Sequence, residues 1–354
     1  VTLLGGDNTL YALAGRPGGV DARSNRLDIH YDGATIGRTH VLALGVSKYE
    51  RQSLRYADVD ARAMADRLGR RDEADDTSPI LLLNEEVSHK TISEAFEQLR
   101  RRVRRRPEDR VVVFLAGHTD VREGFFCLLL HDAPMPEGPE LVAMRGVESP
   151  RPVASSPPGR SAPRFDGTIM PYGVIHQNLA TIDALQRLVI IDACQAAAVF
   201  DDPVVRLQRR RLVRNMAEEE AHQARTSYIL ASRQAERAGE SEKLKHGLLT
   251  YTLLRGMGVS DIGPTPDLPV FAQLGNADLD QDQWVETEEL RRYVDATLPS
   301  LARSFPELVL RGTPGNAAVP ASAGASVQGV ATDSQQEASF PLVELNAPVR
   351  AAAP

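Results

Sequence analysis

A chain of 354 residues, 42% hydrophobic and 25% charged, has the composition of a soluble globular protein and enough length to bury one large core or two smaller ones. Its formal net charge of -7 argues against a general nucleic-acid binder, which would be basic, and no apolar run approaches the roughly 20 residues needed to cross a bilayer. Only Cys127 and Cys194 are present, so no disulfide framework is required, which fits a reducing, cytoplasmic setting; no leader is read, although a chain beginning at Val1 can be a fragment.

Residues 1–37 are rich in glycine and turns, with short β-like pieces such as Asn8-Thr9-Leu10. They read as the end of an upstream β module, the stump of a fused sensor domain, or a short appended hairpin. From Thr39 strands and helices alternate. The run 41–47 is a buried-strand candidate, and the helix after it places Ala57, Ala61, Met64 and Leu68 on one face. A strand at 80–83 precedes a helix near 90–105 whose inner face is Ile92, Phe96, Leu99 and Val103, with Ser88 or Thr91 as its N-cap. Apolar strands follow at 111–116 and 125–130. This alternation implies βαβ units and an α/β fold with a mostly parallel sheet covered on both faces.

Residues 134–167 are too rich in Pro and Ser to pack and read as a mobile insertion. The fold resumes with strands at 187–192 and 227–232, separated by a polar segment (201–225), and with a helix over 248–257. Residues 278–289 carry acidic groups at the spacing of a calcium loop. Asp278, Asp280 and Asp282 fall at ligand positions one, three and five, the Trp284 carbonyl at seven and Glu289 at twelve; Gln283 takes the place of the turn glycine. The alternative is an acidic loop stabilised by the dipole of the next helix. Residues 317–354, rich in Ala, Ser, Gly and Pro, read as a disordered tail, so the main domain spans 38–316.

Two strands end on reactive side chains. The run at 111–116 leads into Gly117-His118, and the run at 187–192 leads through Ala193 to Cys194. In open α/β sheets ligands gather at the carboxyl ends of strands, where a thiol beside an imidazole can be deprotonated. A lone cysteine is also a common small core residue, and Cys127, inside its apolar run, is read as that. The arginine run 100–106 has no interleaved aromatic groups and reads as a helix end complemented by positive charge, not as a nucleic-acid site.

The words HVLALGVSKYE, LRYADVDARAMADRL, VVVFLAGH, LVIIDACQA, ILASRQAERAGE and KHGLLTYTLLRGM stand in this order between residues 39 and about 315. Together they resemble the caspase-like cysteine peptidases: caspases, metacaspases and their bacterial relatives. The resemblance implies a three-layer α/β/α sandwich and an endopeptidase that acts on protein or peptide substrates without a required cofactor. It makes Cys194 the nucleophile and His118 its partner, with the backbone N–H groups of Cys194 and Thr119 as oxyanion donors. It also places Asp192, and Asp60 as a second acid, in a pocket for substrate Arg or Lys, as in metacaspases; a solvent-facing helix charge is the other reading of Asp60. Arg206, Arg209, Arg210, Arg211 and Arg214 are candidate self-processing sites, with Arg160 and Arg164 as competitors. A catalytically silent interaction module and a calcium-responsive regulatory domain are the alternatives from other classes.

Overall fold

The apolar runs at 41–46, 111–116 and 188–191 have no polar face to turn to water, so a sheet built from them needs cover on both sides. The structure, a computed structural model, describes residues 6–10, 13–16, 19–25, 27–31, 37–69, 77–104, 106, 108–122, 124–134, 167–184, 186–193, 225–231, 239–262, 275–304, 309–310 and 339–345. Near the amino terminus β1 (Gly6–Leu10) and β2 (Leu13–Arg16) pair antiparallel with β4 (Leu27–Tyr31) and β3 (Gly19–Arg23), respectively.

The sheet proper begins with β5 (Thr39–Gly45), α1 (Ala57–Leu68), β6 (Ile80–Leu83), α2 (His89–Val103) and β7 (Arg110–Ala116). A side sheet of β8 (Thr119–Arg122), β9 (Phe125–Leu129) and β10 (Ile169–Pro171) follows, then α3 (Tyr172–Ala180). β11 (Gln186–Asp192) and β12 (Arg225–Leu230) complete the central sheet, which runs β12-β11-β7-β5-β6 with every pair parallel. The remaining elements are β13 (Gly239–Ser241), β14 (His246–Gly247), α4 (Leu248–Gly256), β15 (Trp284–Glu286), α5 (Thr287–Ser304), β16 (Val309–Leu310) and β17 (Pro341–Glu344).

Strand order decides which face each helix covers. From β5 through α1 the chain steps outward to β6; from β6 through α2 it steps back past β5 to β7. Right-handed crossovers in opposite directions put α1 and α2 on opposite faces. The contacts agree: α1 touches α4, which packs on α5, while α2 touches α3. The protein is therefore an α/β/α sandwich around a mostly parallel sheet. Every residue of β7 is buried, and Phe96 and Phe114 are wholly enclosed between the layers. Burying each such ring contributes about 2–3 kcal/mol.

The N-cap of α2 uses both residues the sequence offered. Ser88 Oγ accepts from Thr91 N–H, and Ser88 N–H donates to Thr91 Oγ1 at 3.0 Å, closing a reciprocal box. Two segments depart from the pattern. The apolar run at 125–130 does not extend the parallel sheet; it pairs antiparallel with β8 and β10. Within the stretch expected to be disordered, β17 pairs with β15, and Phe340, Leu342 and Val343 are buried. Arg110 fastens this segment by donating to Pro341 O, and to Gly37 O at 2.6 Å. The Pro/Ser-rich insertion, apart from its outermost residues, and the polar segment over 201–224 lie outside the described residues.

Candidate active site at the carboxyl edge of the sheet

β5, β7 and β11 end level with one another: Gly45 faces Ala116, and Ala116 faces Asp192. His118 stands two residues beyond Ala116 and is 5% exposed. Its N–H donates to Tyr49 Oη at 2.9 Å, and that hydroxyl donates to Leu129 O at 3.2 Å. The Tyr49 ring lies tilted against the imidazole, centroids 4.7 Å apart. Gly117 permits this approach, because a Cβ there would sit 2.9 Å from Tyr49 Oη. Across the ring, Nε2 lies 2.7 Å from Gln52 O. A carbonyl can only accept, so Nε2 carries the hydrogen and, in the neutral ring, Nδ1 carries the lone pair.

Gln52 holds its carbonyl toward His118 from a left-handed conformation (φ 57°) in the loop joining β5 to α1. Buried Glu240 grips that loop by accepting from Arg55 N–H at 3.0 Å and Tyr56 N–H at 3.3 Å. Exposed Glu242 accepts from Lys245, Tyr56 Oη and the Arg55 guanidinium, and these partners lower its pKa to about 2. At the near end of the loop Asp58 accepts from Ser47 Oγ at 2.6 Å and Asn84 Nδ2 at 3.1 Å. Burial alone would raise the Asp58 carboxyl, but the hydrogen bonds outweigh it and the pKa is lowered.

The two aspartates expected to line a pocket are both fully buried. Asp60 is not a solvent-facing helix charge. Its Oδ1 pairs with His246 Nδ1 at 2.8 Å, and its Oδ2 accepts from Gly247 N–H at 3.0 Å. Asp192 Oδ2 accepts from Thr250 Oγ1 at 2.7 Å and from Thr250 N–H at 3.4 Å. Gly247 is the N-cap of α4 and Thr250 lies in its first turn, so both carboxylates converge on one helix amino end. That end presents unpaired N–H groups and partial positive charge, which favours anions there. His246, Thr250, Tyr49, Gln52 and Glu240 were not singled out from sequence, although the words KHGLLTYTLLRGM, HVLALGVSKYE and ILASRQAERAGE hold all of them except Gln52.

Thr119 opens β8 opposite Leu128, while Leu129 N–H donates to His118 O. The 119–128 pair is thus a non-hydrogen-bonded one, and Thr119 N–H is directed away from β9. Cys194 and all the arginines proposed as cleavage sites lie outside the described residues. Cys127 is wholly buried, with its thiol donating to Phe125 O at 3.4 Å, in keeping with a core residue.

In the acidic loop, carboxylate oxygens of Asp278, Asp280 and Asp282 lie within 4.8 Å of one another. Glu289, expected at position twelve, is engaged by backbone N–H groups. Its Oε1 accepts from Leu279 N–H at 2.8 Å and Asp280 N–H at 3.2 Å, and its Oε2 from Glu286 N–H at 2.9 Å. Burial nevertheless raises its pKa. Trp284 is engaged in the ladder with β17, and Gln283 adopts the left-handed turn (φ 75°) that a glycine would take without strain.

The family model of the caspase domain, peptidase family C14, matches residues 38–261. The chain belongs to the caspase-domain family. No curated protein matches it. Among solved structures, similarity extends to a Geobacter sulfurreducens protein at 12% identity, covering 78% of this chain and 94% of that one with a TM-score of 0.40. Raptor from Chaetomium thermophilum is similar at 10% identity, covering 64% of this chain and 18% of that one with a TM-score of 0.36. At family level the caspase domain is that of cysteine peptidases, hydrolases whose substrates are proteins or peptides. No helix among the described residues is long and apolar enough to cross a membrane.

Proposed function

We propose that this caspase-domain protein is a cysteine endopeptidase cleaving after Arg or Lys, with Cys194 as nucleophile and His118 as its acid–base partner. The observation that carries the reading is the hydrogen bond from His118 Nε2 to Gln52 O. It fixes the tautomer and leaves Nδ1 to exchange a proton with a thiol. Cys194 follows Asp192 by two residues, as His118 follows Ala116, and Asp192 and Ala116 face each other across the ladder. The residues that precede the two groups thus end neighbouring strands, about 4.8 Å apart, at one level.

In the proposed reaction the Cys194 thiolate attacks the scissile carbonyl carbon. The N–H groups of Cys194 and Thr119 receive the developing oxyanion. His118 protonates the amine as the C–N bond breaks, leaving a thioester. It then takes a proton from water, whose oxygen attacks the thioester to release the acid and restore the thiol. No cofactor takes part. Asp192 meets the substrate's guanidinium or ammonium, a charge-assisted contact that a substrate carboxylate would turn into repulsion. Asp60 stands behind it and fixes the start of α4 through His246 and Gly247. Self-cleavage at the arginines between 206 and 214 follows from the same specificity.

Fluorogenic peptides ending in Arg, Lys or Asp test the reading. Cleavage of the basic peptides, lost in Cys194→Ala and in His118→Ala, is expected. Turnover of the Asp peptide alone overturns the specificity. A folded protein that cleaves nothing and resists an arginine-based acyloxymethyl ketone is a silent module. Fragmentation of Cys194→Ala identical to that of the parent refutes self-processing.

A further inference from the structure

At the opposite, amino-terminal edge of the sheet lies a cavity of about 370 Å³ bounded by Arg38, His40, Gln98, Arg101, Arg102 and Arg106. We propose that it binds a small phosphorylated or oligophosphate anion. Arg38 and His40 come from the start of β5, whereas Gln98, Arg101 and Arg102 lie on the last turns of α2, with Arg106 just beyond. The wall is therefore two-sided, built by a strand and a helix, and none of its described residues is acidic.

The buried histidine distinguishes this wall from a solvated arginine run. His40 is 1% exposed, and its Nε2 lies 2.8 Å from Asp109 Oδ2. Its Nδ1 is buried with no hydrogen-bond partner. An orphaned ring nitrogen in a buried position is costly; with Nε2 donating to Asp109, Nδ1 of the neutral ring is an acceptor, and a phosphate hydroxyl bordering that ring would satisfy it.

Two carboxylates close to these residues are already engaged. Asp109 accepts from Arg38 N–H through one oxygen and from His40 through the other. Glu97 is shared between Arg100, at 2.8 Å, and Arg101, at 3.9 Å. Four arginines border one cavity together with the buried histidine, a local excess of positive charge that favours an anion. The carboxyl end of the α2 dipole opposes an anion there, but by much less than several arginine–phosphate contacts favour one. The volume exceeds that of a bare phosphate and falls at the small end of ordinary ligand sites. The arginine run read from sequence as a helix-end charge cluster thus acquires a counterpart on β5.

The test is calorimetric titration of the full chain with inorganic pyrophosphate at about 0.15 M salt, where diffuse charge effects are screened. One site with a Kd of about 100 µM or tighter is expected, together with a rise in melting temperature of about 3 °C or more at saturation. Replacing Arg101 and Arg106, both with some exposure to solvent, by Gln should leave the ligand-free melting curve in place and weaken binding about ten-fold or more. Adenosine monophosphate binding alongside pyrophosphate identifies the phosphate as the recognised group in either source. Absence of binding, binding indifferent to the two arginines, or tighter binding of a short oligonucleotide than of pyrophosphate would each overturn the proposal.

Discussion

Tyr49→Phe removes one oxygen atom and, with it, the strut under the proposed catalytic histidine. The side chain is 6% exposed, and its ring still fills the same space against the imidazole, so no cavity of consequence opens. What is lost is the acceptor for His118 N–H and a donor to Leu129 O. Leaving buried backbone groups unsatisfied costs about 1–3 kcal/mol, which for a domain of this size lowers the melting temperature by about 5 °C. Chemistry should suffer more than stability. The imidazole would keep its contact with Gln52 O but lose the strut behind its backbone, and a displacement near 1 Å costs about 100-fold. The expected result is a 10- to 100-fold fall in kcat/KM on an arginyl peptide, carried by kcat. Scanning calorimetry and initial-rate kinetics on the same preparation check both halves. A melting temperature within about 1 °C of the parent, with unaltered kcat, would refute the strut argument.

Asp192→Asn keeps the shape of the side chain and its contact with Thr250 but discards the charge. Cleavage after Arg or Lys should fall about 100-fold or more while the fold persists, as read by peptide kinetics and circular dichroism. Gln283→Gly relieves a left-handed turn and should stabilise the protein by up to about 1 kcal/mol in urea unfolding. Glu242 has a folded pKa depressed from 4.5 to about 2, so its contribution is present above pH 4.5 and disappears as pH falls through about 2. In acid melts, Glu242→Gln should lack the part of the parent's decline that lies in this window. Glu289→Ala deprives three backbone N–H groups of their acceptor and should destabilise by about 2–4 kcal/mol; an unchanged urea midpoint would mean the loop is not clipped this way.

The parallel strands were readable because burial on both faces leaves an apolar run without alternation, as at 111–116 and 187–192. The same criterion could not place the run at 125–130. An apolar segment in a side sheet looks like one in the central sheet, and the turn signal before it is a single glycine, Gly124, with φ 84°. His118 was legible because it ends a strand. Its supports were not: Gln52 and Tyr49 reach it across 66 and 69 positions, and Asp60 meets His246 across 186, distances at which no local pattern survives. β17 was hidden differently. A short run, Phe340 to Val343, was outweighed by the Ala, Ser, Gly and Pro around it, and its place to pack comes from long-range contacts, among them the ladder with β15 and the Arg110 contact.

β11 and β12 lie side by side over six paired positions, although the chain between them runs from Asp192 to Arg225. A break anywhere in that connection would sever a covalent bond without separating the pieces. The amino-terminal fragment would keep Asp60 and Asp192, the carboxyl-terminal one would keep His246, Gly247 and Thr250, and each pair would remain a buried junction between fragments. A nicked molecule is then a two-chain complex held by the sheet itself, migrating as two bands under denaturing conditions and as one particle otherwise.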